Sequence, residues 1–136
     1  MNERGSITLW ILGLTVMVLF LGGISLDLWR AFEVREDLAA MADSAANAGA
    51  SFIDGATYRE TGVLELDEGA AITAANTNLD AQQDSGRITN RQIDPAGPVL
   101  TVTLEGKVNF TLLRIFLGGG SIAIQATGSA EALPAS

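Results

Sequence analysis

Residues 5–26 form an uncharged, apolar run of 22 residues that closes at Asp27, and no second stretch of the 136-residue chain comes close to it. A helix rises about 1.5 Å per residue, so the run reaches about 33 Å and can cross a hydrocarbon core of about 30 Å. Three placements compete for it: a permanent membrane anchor, a cleaved secretory signal and a buried core helix. A secretory signal has a basic head, a short apolar core and a small-x-small cleavage site, after which the chain need not be helical. Here the head is Met1-Asn2-Glu3-Arg4, and no proline or turn breaks the path through Asp27, Leu28, Trp29 and Arg30. The reading is therefore an anchor, with a cleaved signal as the first alternative.

Charge does not orient the span by itself, because Arg4 lies on one side and Arg30 and Arg35 on the other. Asp27, Glu33, Glu36 and Asp37 dilute the downstream basic charge, and a four-residue head is easily left inside. The expectation is a single pass through a membrane, with the N-terminus inside and the C-terminal part exported. Within the run, Gly13, Gly22, Gly23 and Ser25 are small enough to let another helix approach, although the GxxxG spacing is absent. Trp10 and Trp29 sit near the two ends, as interfacial aromatics do.

After Asp27 no proline or glycine interrupts the sequence until Gly49. Leu38, Met41, Ala42, Ala45, Ala46 and Gly49 recur at spacings of three and four and draw a small-residue stripe along one helical face. The membrane helix is expected to run on to about residue 50. Such a stripe permits close approach but buries little area, so it needs a sheet or helix against it, either from its own domain or from a neighbouring subunit. At the membrane boundary, Asp27 with Arg30 three residues on can pair along the helix and fix its depth; the plainer reading is an interfacial stop charge.

About 110 residues remain outside the run, enough for one small domain. Residues 54–62 read as turns around short extended pieces, and residues 63–66 as a short strand or lead-in. Asp67 reads as the N-cap of a helix running to about Gln83. Strands follow at 87–93 and 99–108, joined by a turn at 94–98, and a last strand carries Ile122, Ile124 and Ala126. Between them, residues 110–117 are apolar but too short to span a bilayer, and end in Gly118-Gly119-Gly120. The tail at 133–136 is expected to fray. The fold class is α+β: a long N-terminal transmembrane helix extending out of the membrane over 1–50, then a small exported domain over 51–136 with a second helix and a three- to four-stranded antiparallel sheet.

Composition removes most chemistry. The chain has no cysteine and no histidine, so thiol catalysis, Ser-His pairs and the usual structural zinc sites are out. A net charge of -8 with one lysine, Lys107, gives no electrostatic attraction to nucleic acid. Asp54, Glu60, Glu65, Asp67 and Glu68 lack the alternation of a calcium loop and read as a solvated acidic surface. Lys107 has no Ser-x-x-Lys partner, and the three glycines lack the Lys-Ser or Lys-Thr of a phosphate loop. No cofactor, metal, catalytic residue or small-molecule substrate is inferred.

Arg4-Gly5-Ser6, the apolar run, Gly23, Asp27, Arg30, Leu38, the stretch Ala42-Asp43-Ser44-Ala45-Ala46 and Gly49-Ala50 together resemble the N-terminal segment of the TadE/TadG-like proteins of tight-adherence (Flp) pilus assembly. The resemblance implies a bacterial envelope protein, pseudopilin-like in plan, whose helix anchors an exported domain near a pilus or secretion machine and which has no catalytic residues. Its partners would be the membrane and other pilus-assembly or pilin subunits. Larger members carry a von Willebrand A-like domain with an Asp-x-Ser-x-Ser motif; this chain has neither the length nor the motif. Processed prepilins place glutamate at the fifth mature position, where cleavage after Gly5 would leave Trp10, and this favours an anchor over a filament subunit. The alternatives are a minor pilin or pseudopilin, and a membrane-anchored envelope protein of unrelated function. The residues assigned to membrane or packing roles are Gly13, Gly22, Gly23, Asp27, Arg30, Leu38, Ala42, Ala45, Ala46 and Gly49.

Overall fold

The computed structural model describes residues 3–133, so most of the tail expected to fray, and the first two residues of the head, lie outside the described residues. One helix dominates. α1 (Glu3–Ala50) runs unbroken for 48 residues, about 72 Å at the usual rise. It contains no proline, and its distal half is rich in alanine, the best helix former. Every described residue up to Gly22 is exposed on all sides of the helix. From Asp27 onward one face is buried, through Leu38, Met41, Ala42, Ala45, Ala46, Gly49 and Ala50.

That face lies on a three-stranded antiparallel sheet in the order β1-β2-β3, built from β1 (Ile88–Ala96), β2 (Val99–Asn109) and β3 (Ser121–Glu131). The central strand alternates as its sequence demands, turning Leu100, Val102, Leu104 and Val108 inward and leaving Lys107 exposed. Contact between helix and sheet is close because both sides are small. A Cβ added to Gly128 of β3 would stand 2.5 Å from the Asp43 nitrogen and 2.6 Å from the Ala42 carbonyl carbon, so β3 meets α1 backbone to backbone. Gly49 likewise leaves room for the Leu100 side chain and the Ala71 carbonyl.

A helix over the lower part of the stripe completes the core. α2 (Gly55–Thr61) precedes it, and α3 (Glu68–Ala81) turns Ala71, Ala75 and Leu79 into the same cluster as Leu38 and Leu104. Asp67 caps α3 by accepting from the Ala70 N–H at 3.2 Å. Arg91 of β1 donates to Asp80 at 3.0 Å and Asn76 at 3.2 Å, tying α3 to the edge strand.

Two sequence expectations are corrected in detail, and one left open is resolved. Residues 55–61 are helical rather than extended, because Asp54 accepts from the N–H groups of Ala56 and Thr57 at one end and Gly62 takes a left-handed φ of 72° at the other. Of the two readings of residues 63–66 the lead-in holds: Leu66 forms an isolated bridge with Ile53 and donates its N–H to the Gly97 carbonyl at 2.9 Å. The turn expected at 94–98 shrinks to Gly97 and Pro98, with β1 pairing through Asp94, Pro95 and Ala96. Pro95 is tolerated there because β1 is an edge strand, where a missing N–H can face away from the sheet.

Candidate functional site: the junction between the apolar helix and the sheet

The segment joining β2 to β3 returns to α1 at the end of the apolar run. Phe110 donates its N–H to the Gly120 carbonyl at 3.0 Å and closes the segment into a loop, within which α4 (Leu113–Leu117) forms a short helix. Gly118 ends that helix with a φ of 66°. At its start Leu112 offers no side-chain cap. The cap comes instead from Asp27.

Asp27 is 1% exposed and its carboxylate accepts three backbone N–H groups: Thr111 at 3.0 Å, Leu112 at 2.7 Å and Leu113 at 3.0 Å. The first N–H groups of any helix lack intrahelical partners, and an anion placed there satisfies them while meeting the positive end of the helix dipole. The expected pairing with Arg30 exists, at 3.8 Å from a half-exposed side chain, but it is the lesser contact. Arg30 also donates to the Thr111 hydroxyl at 3.0 Å, so Asp27 and Arg30 of α1 hold the same loop. The reading of Asp27 as an interfacial stop charge is thereby corrected: it is buried, and its partners lie 84 to 86 residues away in the sequence.

The bonds from Leu113 and Thr111 hold the Asp27 carboxyl below the ordinary 3.8, against burial, which pushes it up; Leu112 and Arg30 add to the lowering. A depressed carboxylate contributes its stability above the unfolded-state value and loses it as pH falls through the folded one. In an NMR titration, the amide resonances of Thr111, Leu112 and Leu113 should move together with a midpoint below 3.8. Asp27→Asn should abolish the movement, and a midpoint at or above the ordinary value would show that the carboxylate does not accept these bonds.

Deeper in the apolar run the loop touches α1 twice more. A Cβ on Gly23 would collide with the Leu112 side chain, so Gly23 gives the loop its seat. Phe20 and Phe116 meet edge to face with ring centroids 6.2 Å apart. Gly13 and Gly22, also assigned to packing from sequence, stand in open space. Leu38, Ala42, Ala45, Ala46 and Gly49 are buried within the chain, against its own sheet and α3. Sequence reasoning missed the loop side of the junction; its available signals were the apolar stretch at 110–117 and the solitary acid ending the longer run.

Among the described residues no group of three or more Asp, Glu, His or Cys converges on a point, and the one buried acid already spends both oxygens on amides. The arrangement can fix one apolar segment against another at a set height.

Residues 5–51 match the family model described as putative Flp pilus-assembly TadE/G-like, which takes in the apolar run and the whole exit of α1 from it. This TadE/G-like segment is about a third of the chain. No match is found among curated proteins or solved structures.

Proposed function

We propose that the TadE/G-like segment makes this chain a single-pass membrane protein of Flp pilus assembly, acting by helix packing and protein contacts rather than by catalysis. The N-terminus lies in the cytoplasm and the sheet outside the cell membrane, near the pilus machine. One observation carries the reading: α1 is a single unbroken helix, exposed and apolar over its first part and the spine of the folded unit over its second. An apolar surface of that length needs a lipid or protein environment, and its continuity would transmit any tilt of the span to the sheet without a hinge.

Burial of the small-residue stripe against the chain's own sheet takes it out of use as a filament contact. That stripe is already occupied, so a filament would have to be assembled through the apolar half of α1. The test uses spheroplasts and intact-mass measurement. Added protease should remove the C-terminal unit without lysis, the membrane-extracted chain should keep its N-terminal residues, and sheared pili should lack it. Protection of the unit until lysis would overturn the orientation; a shortened N-terminus together with recovery in sheared pili would establish the pilin reading instead.

A further inference from the structure

The loop between β2 and β3 leaves two large apolar side chains uncovered: Ile115 is 70% exposed and Phe116 64%. Such exposure at adjacent positions of one short helix calls for an occupant. Its height supplies one. Phe116 packs on Phe20, which lies seven residues before Asp27 and so about 10 Å inside the apolar run. Leu112 packs on Gly23, about 6 Å inside it. Whatever surrounds α1 at Phe20 must also surround α4.

We infer that α4 is a second, shallow membrane element, dipping into the outer leaflet beside α1 with Ile115 and Phe116 among the lipid acyl chains. This rests on the anchor reading. Three further features fit lipid. The amides that open α4 are satisfied by Asp27, so the loop does not carry those donors unpaired into an apolar medium. The loop's one charge, Arg114, folds back over Gly120 at the base, with its Cδ 3.7 Å from where a Cβ there would be, as a snorkelling side chain does. The uncovered residues are also bulky, whereas contacts between membrane helices favour small ones. A neighbouring helix is therefore the weaker candidate for the same face.

The chain contains no cysteine, so single substitutions give unique labels. The full chain carrying Leu14→Cys, Lys107→Cys or Ile115→Cys is labelled with an environment-sensitive fluorophore in nanodiscs of phosphatidylethanolamine and phosphatidylglycerol. Each label is then quenched by nitroxide-bearing lipids or by aqueous iodide. Position 115 should be quenched several-fold more by a shallow nitroxide lipid than by iodide, position 14 by a deep one, and position 107 by iodide alone. Iodide quenching at 115 with lipid quenching at 14 overturns the inference and leaves the anchor standing. Protection of 115 from both quenchers means that protein covers α4, which also overturns it. Loss of lipid quenching at 14 removes the anchor reading itself.

Discussion

Replacing Gly128 with alanine is expected to destabilise the folded unit by about 3 kcal/mol, at the upper end for an overpacked core. Strand propensity alone argues the reverse, since glycine weakens a strand and alanine would be the better residue by less than about 1 kcal/mol. The decision rests on what the new methyl meets. At Gly128 it would lie 2.5 Å from the Asp43 nitrogen and 2.6 Å from the Ala42 carbonyl carbon, backbone atoms of a helix that other contacts already hold on the sheet. At Gly23 it would meet the end of the Leu112 side chain, which can rotate away, so Gly23→Ala should unseat the loop and leave the sheet folded. For a unit of this size a loss of 3 kcal/mol lowers Tm by about 15 °C, measurable by circular dichroism of the detergent-extracted chain. A Tm within a few degrees of the parent would mean that α1 is not seated on β3 at this distance.

The features of the fold that could be read from sequence are those whose cause is local and repetitive. α1 is legible because nothing between Asp27 and Ala48 interrupts it, and its buried face because Leu38, Ala42, Ala45, Ala46 and Gly49 recur with the helical period. β2 is legible because Leu100, Val102 and Leu104 alternate with polar residues. Features set by one or two caps were lost. The seven residues of α2 carry too little periodicity, and only Asp54 and Gly62 acting together make them helical. The partner of Asp27 could not be read at all, because backbone amides have no sequence signature and loop closure brings them from more than 80 residues away. Residues 110–117 stood out as apolar, but their position beside Phe20 depends on where β2 and β3 end over α1.

Substitutions at Asp27 should therefore act on the loop and be graded by how many acceptors remain. Asp27→Asn keeps the shape but exchanges one carboxylate oxygen for an NH2. With the amide oxygen placed towards Thr111, the NH2 takes the place of the oxygen that Leu112 and Leu113 share in the parent and faces their N–H groups, donor to donor. Turned over, it keeps those two and loses Thr111. Asp27→Ala leaves all three donors without an acceptor, and a buried donor without a partner costs more than the bond it once made. Amide hydrogen exchange at Thr111, Leu112 and Leu113 should accelerate by about tenfold in the first variant and about a hundredfold in the second, with the amides of β2 unchanged. Arg30→Ala removes only a long ion pair and a bond to the Thr111 hydroxyl, and should fall below either. Equal effects of Arg30→Ala and Asp27→Ala would mean that the salt bridge, and not the capping of α4, seats the loop. Faster exchange throughout β2 would mean that the junction supports the whole sheet, and that Asp27 is part of the core rather than the latch of one loop.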